Sequence, residues 1–189
     1  MSQIRAWFSG TWIVLLVSAI IIALDQISKE WVRATIQKYT YIVPVPRLGY
    51  GFLLEHVENN GAAFGILQNQ NRMLIVVALV VSTAILAFAP RLPKDEWLSR
   101  VFLGMQLGGA LANLLDRINH GYVTDWIRVG IPGIYYWPTF NLADSAIVIG
   151  VIGLGITIIR DDIRRGRQAK QAENLERATS VEAATAEPD

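Results

Sequence analysis

The sequence predicts an all-α membrane protein: four transmembrane helices, with a small extracytoplasmic sheet or loop subdomain between the first two. Three observations carry that expectation. The 189 residues are 52% apolar and only 17% charged, whereas a soluble domain of this length needs more charge to cover its surface. Four stretches, 6–24, 73–90, 101–115 and 145–159, carry no charge at all. No internal repeat is visible, which weighs against transporter folds built from duplicated halves.

A spanning helix needs about 20 mostly apolar residues to cross a hydrocarbon core roughly 30 Å thick. The first two stretches reach that length or nearly so. The last two have 15 residues each, about 22 Å at the α-helical rise. To span, both must take in polar residues at an end. The first stretch is not expected to be a cleaved signal, because it is longer than the usual apolar region and no small-x-small site follows it. Between the first two spans, residues 30–72 form the largest outer segment. Within it, 39–45 and 50–57 have strand character, with Pro44 and Pro46 marking an edge. After residue 160 the composition turns to Arg, Gln, Ala and Glu. The expected organisation is a four-helix unit over 1–163 and a polar, disordered cytoplasmic tail over 164–189, with a short helical extension at the junction.

Several chemistries are excluded early. The chain has no cysteine, so disulfides, thiol catalysis and thiolate metal sites are out. Its two histidines, His56 and His120, are far apart and in no HExxH pattern, so neither a metal nor another cofactor is expected. A net charge of +1 gives no reason to expect nucleic acid as a partner.

Four spans put the N-terminus, the 90–100 loop and the C-terminal tail on one side. That side holds ten basic residues, including Arg160, Arg164, Arg165, Arg167 and Lys170, against seven in the longer loops opposite. The positive-inside rule therefore places both termini in the cytoplasm. Parity then gathers the unusual polar residues. Asp25 ends span one, Asn59-Asn60-Gly61 precedes span two, Asn113, Asp116 and Arg117 end span three, and Asn141 and Asp144 open span four. All fall on the outer face, in one layer.

Gly104 and Gly108 form a GxxxG that reads as helix packing in lipid. Acids at membrane depth are costly and tend to mark function. Asn141-x-x-Asp144 suits an N-cap with an acid in the first turn, and Asp125 alone would be an ordinary loop acid. Together they form a carboxylate pair. Two like charges in a low-dielectric site cannot both ionise easily, so such a pair shares a proton. The ionised member can take a proton from water while the neutral one donates to a carbonyl oxygen.

These residues carry a resemblance. Asp25-Gln-Ile-Ser-Lys29, Asn59-Asn-Gly61-Ala-Ala-Phe64, Gly108-Gly-Ala-Leu-Ala-Asn113-Leu-Leu-Asp116-Arg117, Gly121-Tyr-Val-Thr-Asp125 and Phe140-Asn141-Leu-Ala-Asp144 resemble, in family order, the five motif blocks of lipoprotein signal peptidase (signal peptidase II). The resemblance covers about residues 10–160. It implies a membrane aspartyl endopeptidase that cuts prolipoproteins just before a diacylglyceryl-modified cysteine. It implies Asp125 and Asp144 as the catalytic pair, and Asn113, Asp116, Arg117, Asn141 and Ala143 as residues that shape the site. Asp25, Lys29, Asn59 and Gly61 match substrate-side motif residues, and the antibiotic globomycin is expected in the same cleft of a monomer in the bacterial inner membrane. Departures are slight: Ala112 stands where glycine is common, Trp126 where phenylalanine is frequent, and Gly65 where serine is common.

Two roles stay open at this level. Arg117 suits either substrate binding or a structural pairing with Asp116 or a lipid phosphate. Lys29 suits either snorkelling to headgroups or an i, i+4 pair with Asp25. A proton- or ion-coupled transporter using Asp116, Asp125 and Asp144 is the alternative function. A non-catalytic scaffold is a third, with no reason to gather paired acids on one face.

Overall fold

No proline interrupts the first apolar stretch, and α1 (Ser2–Thr35) is accordingly one 34-residue helix. At about 1.5 Å per residue it is longer than a hydrocarbon core is thick, so its last turns, with Asp25, Lys29 and Arg33, lie toward one end of the molecule. The computed structural model describes residues 2–61, 67–93 and 95–185. Ala62, Ala63, Phe64 and Gly65 of the second motif block lie outside the described residues. The remaining elements are β1 (Tyr41–Ile42), β2 (Phe52–Asn59), α2 (Asn71–Phe88), α3 (Trp97–His120), β3 (Val123–Ile131), β4 (Tyr135–Tyr136) and α4 (Leu142–Thr185).

Among the described residues, four helices are long and apolar enough to cross a membrane, over Thr11–Thr35, Asn71–Arg91, Trp97–His120 and Leu142–Gln168. The third has the lowest mean hydropathy, 1.2, yet 61% of it is buried, against 17–22% for the others. Composition and burial agree: α3 is the central helix, and its polar groups meet protein rather than lipid. As expected from its short uncharged run, α3 takes Arg100, Asn113, Asp116 and Arg117 into the span. Arg100 is buried and donates to the carbonyls of Ala89, Leu92 and Pro93, satisfying carbonyls freed at the end of α2.

Gly104 and Gly108 face α1. A Cβ on Gly108 would stand 2.8 Å from both the Ser18 carbonyl oxygen and the Ile21 Cβ, and one on Gly104 would stand 2.8 Å from the Val17 Cβ. Absence of side chains lets the two backbones touch, the usual use of small residues between helices in lipid. A Gly108→Val variant is therefore expected to lose about 1–3 kcal/mol of stability by forcing α1 and α3 apart. Thermal unfolding in detergent measures it, and an unchanged midpoint would contradict this packing.

The sheet differs from expectation. β1 is only two residues long, because Pro44 interrupts the expected strand over 39–45 and Pro46 opens a 3₁₀ turn at Pro46–Gly51. The second expected strand is present as β2, shifted two residues along. Among the described residues four strands lie in the order β1-β2-β3-β4, all antiparallel. Half the sheet thus comes from the α3–α4 connection, which the sequence pattern presents as a plain return loop. β2 pairs with β3 from Phe52↔Val129 to Asn59↔Val123. The result is a mainly helical membrane protein with a small sheet that unites both long connections at one end of the bundle.

The tail is a second correction. α4 continues as one helix of 44 residues to Thr185, so the backbone expected to be disordered from 164 is helical that far. Its Ala, Glu, Arg, Gln and Lys content favours helix, and no proline intervenes before Pro188.

Candidate active site

The site begins at the start of α4. A helix leaves its first N–H groups without intrahelical partners. Here Asn141 is the N-cap: its Oδ1 accepts the Asp144 N–H at 2.9 Å, and Asp144 Oδ2 accepts the Asn141 N–H at 3.3 Å. That reciprocal pair is a capping box. The Ala143 N–H is satisfied from another helix, by Asp25 Oδ1 at 2.8 Å. Asp144 is thus the helix-capping acid that its spacing from Asn141 suggests, and it also lines a cavity.

Asp125 comes from β3, which starts two residues beyond the C-cap of α3. Gly121 makes that tight turn with φ of +83° and donates its N–H to the Arg117 carbonyl, a left-handed conformation that glycine adopts without strain. Asp125 is 2% exposed. Its Oδ1 accepts from Asn141 Nδ2 at 2.7 Å and its Oδ2 from Asn59 Nδ2 at 2.8 Å. Asp144 Oδ1 accepts from Asn113 Nδ2 at 2.8 Å. Three asparagines therefore deliver neutral donors to the two acids, and each amide is held in place at its other end. The Gly61 N–H donates to Asn59 Oδ1, the Asp144 N–H to Asn141 Oδ1, and the Lys29 ammonium to Asn113 Oδ1.

Lys29 does not snorkel. It is 0% exposed, 2.7 Å from Asp25 and 3.1 Å from Asp116. Asp116, also fully buried, takes the Thr124 N–H and lies 3.6 Å from Arg33. Arg117 makes a different contact from the Asp116 pairing considered for it: it donates to the carbonyls of Gly61 at 3.0 Å and Asn113 at 3.3 Å. It ties the 59–61 loop to α3. Asp25 and Lys29 lie below the asparagine layer and are not on the cavity wall, whereas Asn59, Gly61, Asn113, Arg117, Asp125 and Asp144 are. The motif residues therefore divide into a layer facing the cavity and a buried ionic layer beneath it.

The cavity has a volume of about 780 Å³. Trp137, Pro138, Thr139 and Phe140 form one wall, in an extended run whose Phe140 pairs with Ile127 of β3. Ile147, Val148 and Ile149 of α4 form another. Val148 and Ile149 are more than half exposed on a helix long and apolar enough to cross a membrane, so the cavity has an exposed apolar rim on that helix. Sequence reasoning missed Gln26, Arg33 and Thr124 as supports. Gln26 donates to Asp116 and the Ala112 carbonyl, and Thr124 accepts from Arg33. Thr124 sits inside the fourth motif block, and Arg33 follows Lys29 by one helical turn, so both had a signal.

Burial, and after it the charge of Asp144, push Asp125 from the ordinary carboxylate range up to about 7, against the hydrogen bonds from Asn59 and Asn141. A carboxyl whose pKa is raised by folding holds its proton more tightly in the native state. Its contribution favours the native state below the unfolded value near 4 and is lost as pH rises through about 7. An Asp125→Asn variant is thus expected to gain stability relative to the parent between pH 5 and pH 8. The difference in unfolding midpoint at the two pH values measures this, and no change in that difference would contradict the burial argument.

Two carboxyl groups, Asp125 buried and Asp144 partly buried, each take an amide donor and share the wall of one cavity beside a helix long and apolar enough to cross a membrane, an arrangement suited to acid–base chemistry. Residues 17–160 match the family described as Signal peptidase (SPase) II. A lipoprotein signal peptidase of Moorella thermoacetica is 41% identical over 154 residues, covering 82% of this chain and 97% of that one. Another, from Xylella fastidiosa, is 40% identical over 151 residues, covering 78% and 88%. A solved structure described as a bacterial membrane enzyme superposes with a TM-score of 0.71 at 27% identity, over 79% of this chain and 88% of that chain. The chain belongs to the signal peptidase II family and is a membrane protease. That finding overturns the alternative expectation of a proton- or ion-coupled transporter.

Proposed function

We propose that this chain removes signal peptides from diacylglyceryl-modified prolipoproteins, cutting before the lipidated cysteine, with Asp125 and Asp144 as an aspartic catalytic pair. The carrying observation is their joint position on the wall of a cavity whose exposed apolar rim, Val148 and Ile149, lies on an apolar helix of membrane-spanning length; this reading opens that rim to lipid. A substrate whose scissile bond is tied to two acyl chains suits such a cavity, because the chains can stay in the bilayer while the peptide reaches the acids.

In the reaction, the ionised carboxylate takes a proton from water as the water oxygen bonds to the scissile carbonyl carbon. The protonated partner gives its proton to the carbonyl oxygen. Collapse of the tetrahedral intermediate breaks the C–N bond: one hydroxyl returns its proton to the partner carboxylate as the C=O re-forms, and the nitrogen of the cysteine leaves with the proton first taken from water. The two carboxyls share one proton, because like charges this close in a low-dielectric site do not both ionise easily. Asn59, Asn113 and Asn141 orient the pair, Arg117 and Gly61 hold the loop beside it, and Asp25, Lys29, Asp116 and Ala143 fix α4 against α1 and α3. The same reading puts a monomer in the bacterial inner membrane, both termini in the cytoplasm and the sheet at the outer face. The catalytic unit spans 1–163, with 164–189 as a cytoplasmic extension, and globomycin competes for the cavity.

The test is cleavage by the purified chain in lipid vesicles of two matched precursors, one diacylglyceryl-modified and one not. Cleavage of the modified precursor, blocked by globomycin, is expected. Equal cleavage of both, or of neither, would overturn the substrate assignment.

A further inference from the structure

Resting on that reading, we infer that Lys29 is a positioning residue for catalysis, acting through Asn113: its buried ammonium fixes which end of the Asn113 amide faces Asp144. The three asparagines differ in how they are oriented. Asn59 and Asn141 have their oxygens held by backbone N–H groups, those of Gly61 and Asp144. Asn113 has its oxygen held at 2.8 Å by a charged side chain from another helix, the only ammonium in the site among the described residues. An ammonium has three donors and no acceptor, so it accepts only the oxygen end of that amide. The amino end is thereby turned to Asp144 Oδ1 at 2.8 Å.

Asn141 Nδ2 also approaches Asn113 Oδ1, at 3.3 Å, but its shorter bond is to Asp125 at 2.7 Å. It therefore adds little to holding Asn113. A charge-assisted bond is roughly twice as strong as a neutral one, and Lys29 at 0% exposure has no water to exchange with. The ammonium is itself fixed by Asp25 of α1 and Asp116 of α3. Asp25 also caps α4 through the Ala143 N–H. One buried cation therefore sets the position of the Asp144 backbone through Asp25 and of its side chain through Asn113.

Without Lys29 only the longer contact from Asn141, at 3.3 Å, opposes the amide's turning over to present its oxygen to Asp144. That would replace a donor to the carboxylate by a repulsive contact.

The experiment is a double-mutant cycle with Lys29→Met and Asn113→Ala, read as kcat and KM on a diacylglyceryl-modified precursor. Lys29→Met alone is expected to lower kcat about 100-fold with KM nearly unchanged, the scale of losing one preorganised donor. In the Asn113→Ala background the same change should lower kcat less than about threefold. Because Lys29→Met leaves two buried acids unbalanced, the cycle is repeated with Asp25→Asn and Asp116→Asn present in every member. Lys29→Gln, whose amide can still donate to Asn113, should recover at least about tenfold of the loss. Full additivity across the cycle, or an unchanged kcat in Lys29→Met, would overturn the inference. Failure of the parent protein to cleave the precursor would instead overturn the proposed function.

Discussion

Asparagine in place of Asp144 should lower cleavage of a lipidated precursor by on the order of 10⁴-fold, as removal of one member of a cooperating catalytic set does. The same loss is expected at Asp125. The amide is nearly the size of the carboxylic acid, so the cavity keeps its shape. It can neither accept a proton from water nor give one to the carbonyl oxygen. The two substitutions differ in what they do to the surroundings. In Asp144→Asn the new amide can keep the bond from Asn113 on its oxygen and loses only the weaker 3.3 Å contact with the Asn141 N–H. In Asp125→Asn the new amide would turn its amino group to Asn59 or Asn141, both of which donate there, so one of those bonds is lost. Asp144→Asn is therefore the cleaner probe of chemistry. Rate measurement beside circular dichroism and thermal unfolding separates the effects. A folded Asp144→Asn protein retaining about a tenth of the parent rate would remove the carboxylate pair as the catalytic device.

Asn141→Ala is expected to harm both fold and activity, because one side chain does two jobs. Its oxygen accepts the Asp144 N–H, and its amino group donates to Asp125 at 2.7 Å. Loss of an asparagine N-cap costs about 0.5–2 kcal/mol, and α4 carries Asp144 three residues further on. The missing donor to Asp125 should lower kcat by about 100-fold. Asn141→Asp separates the functions. An aspartate caps the helix equally well, so the unfolding midpoint should return toward the parent, while a third acid beside Asp125 leaves activity low. Equal activity of the parent and the alanine variant would contradict the double role.

Much of this site was legible in the sequence, for a physical reason. Acids and asparagines at the ends of apolar spans are costly to keep there, so Asp25, Asn113, Asp116, Asn141 and Asp144 stood out, and span parity put them on one face. The sheet was harder to read. β3 pairs with β2, more than sixty residues earlier, and its run Val123–Ile131 holds an acid, an arginine and a glycine. Strand character there depends on a partner that local pattern does not reveal. Lys29 was ambiguous for a related reason. A lysine at the end of a span normally reaches headgroups, and only the close approach of α3, through Gly104 and Gly108, surrounds it with Asp116 and Asn113. Sequence locates the residues; packing decides which of them touch the cavity.

The exposed apolar rim at Val148 and Ile149, taken with the proposed lipid-anchored substrate, also has a kinetic consequence. A substrate that arrives through lipid is a two-dimensional solute, and its effective concentration is its mole fraction in the bilayer or micelle. Adding empty detergent micelles at fixed amounts of protein and precursor should therefore slow the reaction, and concentrating the aqueous phase should not restore it.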